Sequence, residues 1–257
     1  MNTDRIIIIG GGLAGVTSLA ALAQRGRPAL LLDAAAALGT GASHANGGML
    51  TASMSDPWNS PGAAWALLAS LTDPYAALKL RLSALPGLAG WGLRFLRNSA
   101  PSRHAAATSH AFALARRSVE LTLELERGLP AHEPLARDGT LKVFATREAA
   151  RGTIELARRL APEGLRYEVL DRDGILAREP ELREAQRLLS CGVYYPDDVC
   201  GDALAFVQAI AARARQAGAG IRLGARVRRI CLSRGRVSGV ELEGGEVLPA
   251  GAVVVAT

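Results

Sequence analysis

The hydrophobic pattern changes its spacing twice near the start of the chain. A β-branched run from Arg5 to Ile9 predicts a buried strand. Small and apolar residues from Leu13 to Gln24 then predict a helix that can lie close to a sheet, and Gly26 is suited to end it. A second apolar run, Ala29 to Leu32, ends at Asp33. Together these segments predict a β-α-β unit.

The next part of the chain changes from a polar loop to helices. Residues 39–62 are rich in Gly, Ser, Asn, Thr and Pro, which predicts a long loop of the kind that often carries function. From Ala63 to Arg127 the pattern is mostly helical, with breaks predicted at Pro74, Pro86-Gly87 and Pro101. The apolar anchors predicted for this helical region are Trp65, Leu68, Trp91, Phe95 and Leu121.

The second half of the chain alternates between predicted strands and helices. Helices are predicted at Glu148–Leu160 and Asp202–Gln216. Strands are predicted at Gly139–Ala145, Tyr167–Leu170, Leu188–Tyr195, Ile221–Leu223, Arg226–Leu232, Arg236–Glu241, Glu246–Leu248 and Ala252–Ala256. This alternation is typical of the α/β class.

Composition narrows the range of functions. The chain has 257 residues, of which 49% are hydrophobic, so a sizeable core is expected and disorder is disfavoured. The formal net charge is +6, but the basic residues are scattered and aromatic residues make up only 4%. A nucleic-acid-binding protein would show a basic stripe with interleaved aromatic residues. We therefore expect no nucleic-acid partner.

Cysteine and histidine usage argues against a metal site and a disulfide framework. Cys191, Cys200 and Cys231 lack CxxC spacing, and the four histidines form no ligand cluster. The cysteines are expected to be small buried apolar residues in a reducing, cytoplasmic compartment. No uninterrupted apolar stretch reaches the ~18 residues of a membrane span, so any membrane contact is expected to be peripheral.

The first β-α turn carries the chemistry of a dinucleotide site. In Gly10-x-Gly12-x-x-Gly15, the glycines permit a tight turn, close approach of a pyrophosphate and close helix–strand packing. The helix N-terminus stabilises phosphate charge. Asp33 is placed to bind ribose hydroxyls, and its carboxylate disfavours the 2′-phosphate of NADP. The β-α-β unit alone leaves NAD and FAD open.

Three further stretches resemble the FAD-dependent D-amino acid oxidase superfamily, and within it the D-amino acid dehydrogenases. The first is Gly41–Leu50 (GASHANGGML) followed by Asp56–Gly62 (DPWNSPG), which is similar to the family's flavin loop. The second is Tyr195–Asp202 (YPDDVCGD), similar to a segment that leads into a helix. The third combines Arg226-Val227 with Val253–Thr257, which resemble the returning strands of the FAD domain.

The resemblance implies FAD as the cofactor and a set of residues that bind it. Val227 would contact the adenine through its backbone, and the residues from Ser43 to Leu50 would line the path from pyrophosphate to isoalloxazine. Asp33 stands where many relatives have Glu. The cofactor-binding residues predicted in this way are Gly10, Gly12, Leu13, Ala14, Gly15, Asp33, Ala34, Gly41, Ala42, Ser43, Asn46, Gly47, Gly48, Met49, Leu50, Val227, Ala256 and Thr257.

The resemblance also implies a domain organisation: a Rossmann-like FAD-binding domain from residues 1–62 plus 196–257, and an inserted α+β substrate domain from residues 63–195. Tyr194, Tyr195 and the 56–62 loop are candidate contributors to the substrate pocket. No catalytic residue is assigned. Relatives continue beyond Thr257, and the Arg that pairs with the substrate carboxylate is expected in that later region.

The activity implied is oxidative deamination of D-amino acids by hydride transfer from Cα to flavin N5. Electrons would pass to a quinone or another respiratory-chain acceptor, and the protein would be cytoplasmic or held peripherally at the inner face of the cell membrane. Two alternatives stay open. One is another amine-oxidising flavoenzyme, such as a glycine oxidase, a hydroxyproline dehydrogenase or an opine-oxidising subunit. The other is a catalytically incomplete FAD-binding fragment.

Overall fold

The computed structural model describes residues 4–63, 65, 83, 85–129 and 134–257. Its α-helices are α1 (Leu13–Gln24), α2 (Leu85–Asn98), α3 (Pro101–Glu126), α4 (Arg147–Leu160), α5 (Arg172–Arg178) and α6 (Ala203–Gln216). Its strands are β1 (Ile6–Ile9), β2 (Ala29–Leu32), β3 (Met49–Leu50), β4 (Thr140–Phe144), β5 (Glu168–Leu170), β6 (Cys191–Tyr195), β7 (Val199–Cys200), β8 (Gly220–Arg222), β9 (Val227–Ser233), β10 (Arg236–Leu242), β11 (Val247–Pro249) and β12 (Ala252–Val255). Short 3₁₀ helices lie at Ala52–Met54, Ala161–Glu163 and Pro180–Leu188.

The chain divides into two compact units. The first unit comprises Met1–Met49, Thr122–Ala136 and Cys200–Thr257, and the second comprises Leu50–Leu121 and Arg137–Val199. These bounds differ from the predicted domains at both junctions, and the end of α3 belongs to the first unit. The assignment of an FAD domain and a substrate domain to particular residues stays a prediction.

The first unit is built on a parallel sheet with the strand order β12-β1-β2-β8. β1 lies in its centre, where Ile6 aligns with Ala252 on one side and with Ala29 on the other. Side chains alternate across a strand, so Ile8 joins the core formed with α1 and α6, whereas Ile7 packs with Val240 of the antiparallel β9-β10-β11 sheet. The parallel sheet is therefore covered on both faces, as such sheets require.

The second unit contains an antiparallel sheet with the order β4-β6-β5. Its core joins Phe112 of α3 to Ala157 and Leu160 of α4 and to Val193 and Tyr195 of β6. The Thr146 hydroxyl begins α4 by accepting a hydrogen bond from the Ala149 N–H at 3.1 Å. This unit thus has a separate hydrophobic core.

The hydrophobic pattern predicted two elements to the residue. The helix Leu13–Gln24 and the strand Ala29–Leu32 have the predicted bounds. The breaks predicted at Pro86-Gly87 and Pro101 each lie at the start of a helix, because α2 begins at Leu85 and α3 begins at Pro101. A proline in the first turn costs no intrahelical bond, so both prolines are tolerated there. The predicted loop 39–62 contains β3 and the 3₁₀ helix Ala52–Met54.

The predicted apolar anchors of the helical region are mostly not buried. Trp65, Trp91 and Leu121 are exposed, and Phe95 is only half-buried. Leu68 and the break at Pro74 lie outside the described residues. The residue that anchors this region is Phe112, which is almost fully buried. Helical spacing thus located the helices but did not identify the buried side chains.

The longest helical segments that the prediction missed are α5 and the 3₁₀ helix Pro180–Leu188. A signal for α5 was available, because the Asp171 carboxylate caps it by accepting a hydrogen bond from the Gly174 N–H at 2.9 Å. Of the three cysteines, Cys191 is buried as expected, whereas Cys200 and Cys231 are only half-buried.

Candidate nucleotide-binding site

The turn between β1 and α1 can be formed only by glycine at two positions. Gly10 has φ +111°, and a Cβ there would lie 2.4 Å from the carbonyl oxygen of Ala256. A Cβ at residue 15 would lie 1.8 Å from the carbonyl oxygen of Gly10. Gly10 therefore allows the chain to contact the end of β12, and Gly15 allows α1 to pack against the turn.

The N-terminus of α1 is suited to an anion. Its first turn holds no acidic residue, and its N-cap, Gly12, has no side chain to cap the free amides. The Ser43 hydroxyl accepts a hydrogen bond from the Leu13 N–H at 3.2 Å. Its own proton stays available to a further acceptor. The helix therefore presents amides together with a hydroxyl donor.

The Asp33 carboxylate lies at the end of β2 and is held from two sides. One oxygen accepts a hydrogen bond from the Gly11 N–H at 2.5 Å, and the other accepts one from the Ala35 N–H at 2.7 Å. The residue is half-buried. Each carboxylate oxygen has a second lone-pair direction, so the group can still accept hydrogen bonds from ribose hydroxyls.

A cavity of about 690 Å³ joins these features. That volume lies within the usual range of small-molecule sites. Most of the predicted cofactor-binding residues line it: Gly10, Gly12, Leu13, Ala14, Asp33, Ala34, Gly41, Ala42, Ser43, Val227, Ala256 and Thr257. The turn, the helix N-terminus, the acidic residue and the returning strands thus meet at one place within the first unit.

The remaining predicted cofactor-binding residues do not line the larger cavity. Asn46, Gly47 and Gly48 line a second cavity of about 260 Å³, together with His44 and Asp202. The Gly48 carbonyl oxygen accepts a hydrogen bond from the Gly201 N–H at 2.9 Å, which fixes the loop close to the start of α6. Met49 and Leu50 form β3 and line neither cavity, and Gly15 lies beneath the turn.

Several residues that line the larger cavity were not predicted, among them Gly11, Gly39, Thr40, Ala225 and Arg226. Gly39 donates its N–H to the Gly11 carbonyl oxygen at 3.0 Å and has φ +71°. The run of glycines after residue 38 was a signal for this contact, because a glycine-rich loop can follow another backbone closely.

The tyrosines proposed for the substrate pocket have structural roles in the second unit. Tyr195 is buried in the core, where burial and the nearby carboxylates of Asp198 and Asp56 raise the pKa of its phenol to about 12. The Tyr194 hydroxyl donates to the Asp138 carbonyl oxygen at 2.8 Å, and the Arg178 guanidinium lies 3.8 Å from its ring centre.

Asp198, from the YPDDVCGD segment, is a buried carboxylate in the second unit. One of its oxygens accepts hydrogen bonds from the hydroxyls of Ser53 and Thr140, both at 2.6 Å. These bonds attach the segment after β3 to the start of β4.

The 56–62 loop, which was also predicted to contribute to the substrate pocket, is held by the His104 ring. That ring lies 3.3 Å from the Pro57 carbonyl oxygen. The next residue, Trp58, is exposed.

The parallel sheet, the glycine turn and the acidic residue at the end of β2 define an α/β protein with a Rossmann-like FAD-binding fold. Residues 5–257 match the model of a family described as FAD dependent oxidoreductase and abbreviated DAO. The chain belongs to this DAO family. Among the described residues, no helix is both long and apolar enough to cross a membrane.

Relatives with similar sequences support the family assignment. A D-amino acid dehydrogenase of Methylobacterium sp. (strain 4-46) is 34% identical over 256 residues, which covers 98% of this chain and 60% of that protein. A D-amino acid dehydrogenase of Rhizobium johnstonii is 32% identical over 254 residues, with the same coverage. The chain thus spans about 60% of the length of these relatives.

Solved structures show the same fold. Glycine oxidase from Bacillus cereus superposes with a TM-score of 0.65 at 19% identity, covering 98% of this chain and 54% of that one. At such low identity the similarity establishes the fold alone.

Proposed function

We propose that this chain is the FAD-binding portion of an enzyme that oxidatively deaminates D-amino acids. The observation that carries the proposal is the 690 Å³ cavity, which is lined both by the N-terminus of α1 and by Asp33. Membership of the DAO family and the relatives named D-amino acid dehydrogenase support it.

The residues present fit FAD. The Asp33 carboxylate would accept hydrogen bonds from the ribose hydroxyls, and the amides of the first turn of α1 and the Ser43 hydroxyl would bind the pyrophosphate. The backbone of Val227 would contact the adenine. The residues from Asn46 to Leu50 would bind the isoalloxazine, because small residues and exposed amides suit a planar ring.

FAD, when bound, accepts the hydride removed from the substrate Cα. The residues described in this chain bind and orient that cofactor, and none is assigned to proton transfer. The electrons would pass to a quinone or another respiratory-chain acceptor, and the protein would work in the cytoplasm or at the inner face of the membrane. The amine-oxidising alternatives, which include glycine oxidases, hydroxyproline dehydrogenases and opine-oxidising subunits, share the cofactor site and differ in substrate.

The cofactor assignment is tested by titrating the chain with FAD and following flavin fluorescence. We expect saturable binding of FAD, with NAD⁺ binding much more weakly. Ser43→Ala should weaken FAD binding about tenfold, because it removes one hydrogen bond to a charged group. Asp33→Ala should weaken it more, since it also frees the Gly11 and Ala35 amides. Ser18→Ala is the control, because the Ser18 hydroxyl donates to the Ala14 carbonyl oxygen within its own helix and does not line the cavity. Equal effects of Ser43→Ala and Ser18→Ala would contradict the site.

The substrate assignment is tested by loss of flavin absorbance without oxygen. D-amino acids, glycine, hydroxyproline and an opine are added separately to the flavin-loaded chain, and in parallel to a flavin-loaded D-amino acid dehydrogenase as a positive control. Bleaching by D-amino acids alone supports the proposal. Bleaching by another amine reassigns the substrate, and flavin that stays oxidised with every amine identifies an incomplete FAD-binding fragment.

A further inference from the structure

One charged side chain at the larger cavity has no role in the proposed binding of FAD. Of the described residues that line this cavity, only Asp33 and Arg226 have charged side chains. Asp33 is assigned to the ribose, whereas Arg226 supplies the positive charge of this set. Because a dinucleotide is both anionic and aromatic, an arginine beside it can act through its charge or through its planar face.

Main-chain hydrogen bonds fix Arg226 next to the end of β2. The Gly224 N–H donates to the Ala35 carbonyl oxygen at 2.9 Å. The Ala225 N–H donates to the Asp33 carbonyl oxygen at 2.8 Å, and Ala225 is buried. Arg226 is the next residue, directly before β9. Its position beside Asp33 therefore does not depend on contacts of its own side chain.

Glu243, directly after β10, holds the Arg226 side chain. The Glu243 N–H donates to the Arg226 carbonyl oxygen at 3.0 Å, and Glu243 Oε1 lies 3.5 Å from Arg226 Nε. Glu243 itself does not line the cavity. Both side chains are 63% exposed, so the ion pair adds little to stability. A carboxylate pairs with the edge of a guanidinium, so the flat faces of Arg226 stay available to a ligand.

We propose that Arg226 stacks on the adenine of the bound dinucleotide and that Glu243 positions it. The base is joined to the ribose that Asp33 binds, so it reaches the residues beside Asp33. A guanidinium above a purine ring is attracted by the π electrons of the ring. Phosphate binding fits less well, because Glu243 already balances the charge of Arg226. The inference rests on the proposed function, which assigns the adenine only to the backbone of Val227.

Calorimetric titration of the full chain with ADP tests the stacking, because ADP contains the adenosine of FAD without its flavin. Arg226→Ala should weaken ADP binding about tenfold, the loss expected for one stacking contact on a base. Arg228→Ala is the matched control, since Arg228 is similarly exposed, pairs with Glu241 and does not line the cavity. Neither exposed side chain should affect Tm. Equal effects of the two variants on ADP binding would overturn the proposal.

Arg226→Lys separates stacking from charge. Lysine keeps the positive charge but has no planar face, so we expect it to bind ADP as weakly as Arg226→Ala does. The loss should persist at about 0.5 M NaCl, because stacking is screened less than an exposed ion pair is. Full affinity in Arg226→Lys, or a loss that disappears at high salt, would assign Arg226 to the phosphates and overturn the stacking.

A double-mutant cycle tests Glu243 as a positioning residue. Glu243→Gln should weaken ADP binding about threefold in the wild-type chain, as expected for an exposed ion pair. In the Arg226→Ala background, the same substitution should have no effect, because Glu243 acts through Arg226. A loss of equal size in both backgrounds would show that Glu243 acts only on the fold, which would overturn its positioning role.

Titration with FAD distinguishes failure of this inference from failure of the proposed function. A wild-type chain that binds FAD and ADP, with Arg226→Ala behaving like Arg228→Ala, would overturn the stacking and leave the cofactor site in place. A wild-type chain that binds neither FAD nor ADP would contradict the proposed function and this inference with it.

Discussion

The two units use their apolar residues differently. In the first unit, the apolar residues from which the strands and helices were predicted are themselves buried. Ile8, Val16 and Leu31 are examples. In the second unit, helices form within the region predicted to be helical, but Trp91 and Leu121 are exposed and Phe112 fills the core. Periodicity thus locates an element, whereas the elements packed against it decide which side chains are buried.

The largest expected effect tests this contrast within the second unit. Phe112→Ala should lower the free energy of unfolding by about 3–5 kcal/mol, because it empties a packed core site. Trp91→Ala should change it by only about 0.5 kcal/mol, since that side chain is exposed. Urea denaturation followed by circular dichroism measures both. Equal losses would mean that Trp91 is a core residue, as its spacing suggests.

Next in size is a substitution in the glycine turn of the first unit. Gly15→Ala places a Cβ 1.8 Å from the Gly10 carbonyl oxygen, so the backbone must shift, and we expect a loss of about 3 kcal/mol. Gly244→Ala is the matched control, because a Cβ there meets nothing within 4 Å. Thermal unfolding distinguishes them. If the two variants have the same Tm, Gly15 is not required for packing.

A smaller effect is expected from the buried carboxylate of the second unit. Asp198→Ala leaves the buried Ser53 hydroxyl and the Thr140 hydroxyl without their acceptor and should cost about 2 kcal/mol. Its neighbour Asp197 pairs with Arg166 at the surface, so Asp197→Ala should cost no more than about 0.5 kcal/mol. Urea unfolding of both variants compares a buried and an exposed carboxylate one residue apart.

The smallest effect is a pH dependence in the same core. Burial raises the pKa of Tyr195 to about 12 from an ordinary value of 10.0, so the folded state favours the neutral phenol. Its contribution to stability is complete below pH 10 and is lost as pH rises toward 12. Tyr195→Phe should make stability less dependent on pH in that window. An unchanged slope in urea titrations between pH 9 and 11 would show that other groups dominate.

Local signals predicted the first β-α-β unit, because strand, turn and helix are each determined by neighbouring residues. The contacts that complete the candidate site are not local. In the candidate site, the Ser43 hydroxyl meets the Leu13 N–H 30 residues earlier in the chain. In the second unit, outside that site, Ser53 meets Asp198 across 145 residues. The resemblance to a family identified Ser43 and the segment around Asp198, but no residue spacing predicted these bonds. The exposure of Trp91 could not be predicted either, since it depends on what packs against α2.

The central position of β1 has a consequence for the order of folding. Ile6 pairs with Ala29, which follows soon after it, but also with Ala252, near the far end of the sequence. During synthesis, β1 can pair with β2 early, whereas its other edge must wait until the ribosome has produced β12. Pairing between such distant segments is slow because of the entropy lost in closing the loop. We expect the sheet of the first unit to be completed late, with one edge of β1 available to chaperones until β12 arrives.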